Sequence, residues 1–249
     1  MKRTVELAKS KWCTSFLRKI RREFYSMQSK AWYNYLLRTV DPAFCDGVPR
    51  RKGKSDAVLA EEARAALAAF LSNFTHLNLP GGTELGVDGE FRGLGGVVYL
   101  TIRLPGEEPI SASKIPYNAN CVESIWEKEV LSWVSSQFHL CWHDGYSQCV
   151  ILTGDATKVE HDIQHLDFSL GFTASVDQMP EDMKREYQSA NFAPMVEIVD
   201  GAPKITFHIF SPFGGIFRRI ACAEISQEED EDEAEEEEAI FPYNCGVCY

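Results

Sequence analysis

The spacing of apolar residues predicts two helices at the N-terminal end of the chain. Apolar side chains recur every three or four positions over residues 4–27 and again over residues 29–40, which is the period of one helical face. The two apolar stripes consist of Val5, Ala8, Trp12, Phe16, Ile20 and Phe24, and of Trp32, Leu36 and Val40. Asp41 and Pro42 end the second helix, because a residue that precedes proline is displaced from the α region.

The clearest helix in the chain is predicted to begin after Ser55, which is a typical N-cap. The residues that follow it, D-A-V-L-A-E-E-A-R-A-A-L-A-A-F-L, are mostly strong helix formers. The apolar face of this helix consists of Leu59, Ala63, Ala66, Leu67 and Phe70. Further helices are predicted over residues 122–139, 154–166 and 181–189.

Short runs of β-branched and aromatic residues predict the strands. Such runs occupy residues 97–104, 149–153, 168–176 and 216–225. Residues 195–199 and 204–210 alternate apolar and polar positions on either side of Asp200-Gly201, which is a strong hairpin signal. Because helices and strands do not alternate regularly, the chain is predicted to be an α+β protein with a mostly antiparallel sheet and packed helices.

Residues 86–96 are rich in glycine and resemble a phosphate-binding loop in composition. A phosphate cradle leads into the N-terminus of a helix, whereas this segment leads into the predicted strand at residues 97–104. Its glycines are therefore interpreted as turn residues with positive φ.

The distribution of charge divides the chain into three predicted parts. The net charge is −12, but residues 1–54 contain 14 Lys and Arg side chains against four carboxylates, and residues 226–249 contain ten carboxylates and no Lys or Arg. We therefore expect a basic helical arm and linker at 1–54, an α+β core at 55–225 that folds without either extension, and an acidic, disordered tail at 226–249. The tail ends in an apolar tag that contains a C-x-x-C motif, Cys245 to Cys248.

The basic arm has the composition of a nucleic-acid-binding surface, since cations attract phosphates and aromatic rings stack on unpaired bases. The predicted binding residues are Arg18, Lys19, Arg21, Arg22, Lys30, Arg38, Arg50, Arg51, Lys52, Trp12, Trp32 and Tyr35. The leading hypothesis is a non-enzymatic binding or accessory protein that engages nucleic acid or a protein partner with an acidic surface, with the tail as a modulator. A structural subunit of a larger macromolecular assembly is an alternative, and an anionic membrane surface would suit the same arm.

Two groups of histidines and cysteines are candidate metal ligands, and they support a second alternative, a zinc-dependent hydrolase. On an extended segment His139, Cys141 and His143 project to one side, and Cys149 completes a tetrahedral set of zinc ligands. His161 and His165 are four residues apart on a predicted helix, which is a chelating spacing. Ordinary core or surface positions account better for both groups, so the expected cofactor is none, with zinc as the alternative.

The eight cysteines are expected to be reduced thiols. No apolar stretch of signal-peptide length lies near the N-terminus, and no apolar run reaches the roughly 18 residues of a transmembrane helix. We therefore expect a cytoplasmic protein without a transmembrane segment, in which thiols stay reduced. The Arg-rich N-terminus leaves a mitochondrial presequence as the alternative, and Glu6 and Glu23 argue against it.

Overall fold

The computed structural model describes residues 2–7, 11–28, 30–40, 54–92, 95–137, 150–159, 180–199, 202–211, 215–222 and 235–241. The helices are α1 (Lys11–Gln28), α2 (Ala31–Val40), α3 (Asp56–Leu71), α4 (Val122–Ser136) and α5 (Glu181–Ser189), together with a short 3-10 helix at Ala112–Lys114. The strands are β1 (Lys2–Glu6), β2 (Glu84–Arg92), β3 (Gly95–Arg103), β4 (Ile110–Ser111), β5 (Val150–Ile151), β6 (Met195–Val199), β7 (Ala202–Ser211), β8 (Gly215–Cys222) and β9 (Glu235–Phe241). Every strand pairing within these described ranges is antiparallel, which confirms the predicted α+β class.

The chain divides into two compact units, one formed by residues 1–15 with 146–249 and the other by residues 16–145. This division cuts across the boundaries expected at residues 54 and 225. The first unit takes a strand from the segment that was assigned to the basic arm and another from the segment that was assigned to the tail.

The first unit is built on a sheet with the strand order β1-β6-β7-β8-β9, and β5 pairs with the far end of β7. The predicted hairpin is confirmed, because β6 and β7 pair in register from Val199–Ala202 onward. Helix α5 contributes Tyr187 to an aromatic core, where its ring lies 5.4 Å from that of Phe192 and 5.6 Å from that of Phe241.

The first residues of the chain form a strand, so the helix predicted from residue 4 was placed too early. Val5 pairs with Val196, and the backbone N–H of Leu7 donates to the Pro194 carbonyl at 2.9 Å. Pairing with β6 supplies backbone partners to these residues, and the helical stripe begins only at α1.

Residues 235–241, which belong to the segment expected to form the acidic tail, form the strand β9. Glu238 lies opposite Arg218 of β8 and forms an ion pair with it. Phe241 is buried in the aromatic core. A buried aromatic residue and opposite charges across the strand pair therefore offset the poor strand propensity of the glutamates.

The second unit combines α1 from residue 16 onward, α2, α3 and α4 with a three-stranded sheet of order β2-β3-β4. Helix α4 packs on β3, where the Ser135 hydroxyl donates to the Leu100 carbonyl at 2.8 Å. The glycine segment forms parts of β2 and β3, so the interpretation of its glycines as turn residues is wrong for Gly86. A Cβ at Gly86 would lie 2.9 Å from the Thr101 hydroxyl on the opposite strand, and close approach explains this glycine.

The helices of this unit bury the predicted faces, except that a different face of α2 is buried. Phe16, Ile20 and Phe24 of α1 are buried as expected, and Ser55 caps α3 by accepting from the Val58 N–H. In α2, however, the buried residues are Trp32, Tyr33 and Leu37 rather than Trp32, Leu36 and Val40. Of the helix predicted at 154–166, residues 154–159 are described and residues 156–159 are helical; the strand predicted at 168–176 lies outside the described residues.

Candidate binding groove between three helices

A groove of about 350 Å³ lies where α1, α2 and α3 meet in the second unit. Its volume falls in the usual range for sites that hold small molecules. The groove is lined by Arg22, Glu23, Ser26, Met27, Lys30, Trp32, Ala66, Ala69 and Phe70.

The floor of the groove is apolar because it is built from the buried faces of its three helices. Met27, Trp32 and Phe70 are all buried. The ring of Phe74, after α3, packs edge-on against Phe70 at 5.5 Å and against Phe16 of α1 at 5.4 Å. This aromatic contact fixes α1 against α3. The only α3 side chains beside Phe70 in the lining are the small ones of Ala66 and Ala69, which leave the space open.

Two cations stand at the mouth of the groove. Arg22 and Lys30 are exposed, and within the described part of the chain neither side chain has an ion pair or a hydrogen bond. The backbone N–H of Lys30 donates to the Met27 carbonyl at 2.9 Å, so this residue sits in the tight connection between α1 and α2. Cations without an intramolecular partner are available to an anionic ligand.

One carboxylate, Glu23, also lines the groove, and a buried amide holds it in place. The Asn73 Nδ2 donates to Glu23 Oε2 at 2.6 Å and to the Phe70 carbonyl at 2.8 Å. Asn73 is only 7% exposed, so its burial in the turn after α3 restricts the movement of its side chain. The groove therefore combines an oriented carboxylate and an apolar floor with two cations that have no side-chain partner among the described residues, and such a surface can bind a ligand with both anionic and apolar groups.

Of the residues predicted to bind a partner, the structure brings Arg22, Lys30 and Trp32 together at the groove. Arg18 and Lys19 are exposed on α1 outside the lining. The remaining described members, which are half-buried, are Trp12, Arg21, Tyr35 and Arg38. Of these, Arg38 donates from Nε to the Asn34 carbonyl within α2 at 3.1 Å. Arg50, Arg51 and Lys52 lie outside the described residues.

Burial also changes the role of the aromatic residues in the arm. Trp32 and Tyr33 are each 6% exposed, so neither offers a ring face to solvent as a stacking platform. Trp32 contributes instead to the apolar floor of the groove.

The predicted metal ligands His139, Cys141, His143, Cys149, His161 and His165 all lie outside the described residues. Among the residues that are described, no three His, Cys, Asp or Glu side chains are arranged to hold a metal ion.

Sequence reasoning missed the pair of Glu23 and Asn73. Glu23 was noted only as an acidic residue in a basic segment, and Asn73 carried no signal, because the contact joins residues 50 positions apart. The sequence signal that points to Glu23 is its position as a single carboxylate within a run of cations on an amphipathic helix.

A second carboxylate that the sequence did not indicate, Glu127 of α4, stabilises the turn after α3. Its Oε2 accepts from the backbone N–H groups of His76 at 2.7 Å and Leu77 at 3.1 Å, and its Oε1 lies 2.9 Å from His76 Nδ1. Glu127 is fully buried, while the His76 side chain is 35% exposed. Charge-assisted hydrogen bonds to both oxygens compensate for the loss of water around this carboxylate.

In the first unit, His208 of β7 is a buried imidazole beside a cation. Burial is the main cause that lowers its pKa from 6.5 to about 4; a hydrogen bond to the backbone of Phe192 acts in the opposite direction, and Arg218 lowers the pKa further. Arg218 lies directly opposite on β8. The Nδ1 atom of His208 is buried and has no hydrogen-bond partner in the described part of the chain, so the neutral ring is the stable form near neutral pH.

Comparisons of the chain with protein-family models, with curated proteins and with solved structures find no match. None of the helices in the described ranges has the length and apolar character needed to cross a membrane.

Proposed function

We propose that this protein is a non-enzymatic binding protein that engages single-stranded nucleic acid through the exposed face of α1 and the adjoining groove. The observation that carries the proposal is the pair of cations, Arg22 and Lys30, which have no side-chain partner among the described residues and stand at the mouth of a groove with an apolar floor. Phosphates would contact the cations, and an unpaired base would lie on the floor.

The charge of α1 supports the proposal. The helix has five cations and a single carboxylate. Arg18 and Arg22 are four residues apart and lie on the same exposed side, separated by about 6 Å along the helix axis. Neither has an intramolecular partner among the described residues, so both are free to neutralise neighbouring phosphates.

Single-stranded nucleic acid matches this surface better than the other polyanions that a basic surface attracts. Each nucleotide repeats one anionic group and one flat, largely apolar group, and proteins that bind such strands combine a positively charged track with places for individual bases. An acidic protein surface supplies the anions without a regular apolar group. Duplex nucleic acid keeps its bases paired and away from a groove of this kind.

The experiment is binding of fluorescent single-stranded and double-stranded oligonucleotides, measured by anisotropy at about 50–200 mM salt. The variants Arg22→Ala and Lys30→Ala should each weaken single-strand binding about fivefold to tenfold. The double variant should lower the slope of log affinity against log salt by about 1.4, because two phosphate contacts are lost. Arg64→Ala is the matched control, since Arg64 is exposed on α3 but does not line the groove.

No binding of any oligonucleotide by the whole chain would overturn the proposal. Equal losses in the Arg64→Ala control and the groove variants would overturn the placement of the site. Capture of an acidic peptide with apolar side chains, in the absence of oligonucleotide binding, would assign the groove to a protein partner.

A further inference from the structure

Glu23 is out of place in a site that serves only to bind phosphate. It follows Arg22 directly in the sequence and lines the same groove, where a negative charge opposes the approach of an anion. A carboxylate at this position is therefore suited to a part of the ligand other than the phosphate.

The geometry around Glu23 divides its two oxygens between separate roles. Oε2 is occupied by the N–H of Asn73 at 2.6 Å. Among the described residues, Glu23 has no other hydrogen bond or ion pair. Asn73 also donates to the Phe70 carbonyl, so Oε2 is held in place, while Oε1 of this groove-lining residue has no hydrogen bond among the described residues.

We propose that Glu23 recognises the exocyclic amino group of a base bound in the groove, so that the groove prefers cytosine to uracil. This inference rests on the proposed function. An ionised carboxylate only accepts hydrogen bonds. Cytosine presents a donor, its 4-amino group, where uracil has an acceptor oxygen at the same ring position. Oε1 therefore binds the first base and repels the second.

The test compares oligonucleotides of deoxycytidine and deoxyuridine of equal length at about pH 7.5. Anisotropy titrations of the unmodified chain should give a dissociation constant for the deoxyuridine strand that is about fivefold higher or more. This ratio is measured without any substitution, so it does not depend on whether a variant folds.

The variant Glu23→Gln tests the assignment to this residue. Asn73 would still donate to the oxygen of the new amide, which leaves its NH₂ group, a donor, on the groove side. The preference for cytosine should then disappear or reverse, because the deoxycytidine strand loses its acceptor while the deoxyuridine strand gains a donor opposite its 4-oxygen. Glu61→Gln on the exposed face of α3 makes the same change in charge outside the groove, and it should leave the ratio unchanged.

The outcomes separate this inference from the function on which it rests. If neither strand binds, the proposed function fails and the inference fails with it. If both strands bind with equal affinity to the unmodified chain, or if Glu23→Gln keeps the original ratio, the recognition by Glu23 is overturned and the nucleic-acid function stands.

Discussion

Because His208 is buried, we expect the first unit to lose stability in mild acid, at a pH above the range in which carboxylates titrate. The perturbation is a decrease in pH from about 7.5 to about 4.5, compared between the unmodified chain and His208→Phe. Phenylalanine removes the titrating group and keeps an aromatic ring against Phe192, whose ring lies edge-on to the imidazole at 5.4 Å.

The sign follows from the direction of the pKa shift. The folded state binds a proton at His208 only below about pH 4, whereas the unfolded chain binds it below about pH 6.5. Between these values the unfolded state holds more protons, so stability falls as the pH decreases through this window. The positive charge of Arg218 disfavours the protonated imidazole. Glu238 forms an ion pair with Arg218 and so partly offsets that charge.

The magnitude follows from the size of the shift. A decrease from 6.5 to about 4 corresponds to about 3 kcal/mol when the window has been crossed completely, at about 1.4 kcal/mol for each pKa unit. At about pH 5 the same relation gives a loss of about 2 kcal/mol. His208 is only 9% exposed, so solvent screening does not reduce this value greatly.

The assay is urea unfolding followed by far-ultraviolet circular dichroism at several pH values, with the difference between the two chains as the readout. The difference cancels the carboxylates that titrate in both. An NMR titration of the imidazole gives the pKa directly. Equal losses of stability in both chains between about pH 7.5 and 5, or an imidazole pKa near 6.5, would refute the reasoning.

Three further predictions concern other parts of the chain. Glu127→Ala removes the acceptor of three N–H donors and should lower the free energy of unfolding by about 3 kcal/mol. A loss below about 1 kcal/mol in urea titrations would contradict the role of this carboxylate. Gly86→Ala should destabilise by about 1–3 kcal/mol because its Cβ meets the Thr101 hydroxyl; Gly81→Ala, whose Cβ meets nothing within 4 Å, is the matched control and should change stability by less than about 1 kcal/mol. Replacing the acidic residues 228–233 by their amides should tighten oligonucleotide binding at about 50 mM salt and less at about 200 mM, through weaker long-range repulsion; an unchanged affinity at the lower salt concentration would show that the tail does not modulate binding. Truncation at residue 226 would be a poorer test, because it also removes β9.

The candidate groove shows how far sequence reasoning reaches for a binding site. Composition pointed to the arm, and the prediction included Arg22, Lys30 and Trp32, which line the groove. It did not reveal that Trp32 is buried, that Ala66 and Ala69 of α3 leave the space open, or that Asn73 orients Glu23. These features depend on which faces of three helices meet, and no periodicity within a single helix records that.

The sequence by itself determined the elements whose stability is local. Helix α3 follows from its Ser55 cap and strong helix formers, α5 from a short helical segment, and the β6–β7 hairpin from its Asp-Gly turn, and all three are present as predicted. Only the tertiary structure decided the roles of the two ends of the chain. Strands β1 and β9 form because β6 and β8 supply their backbone partners, and β6 lies about 190 residues from β1 along the chain. Local preference is a weak guide for such segments, since hydrogen bonding to a distant strand outweighs both a helical stripe and a run of glutamates.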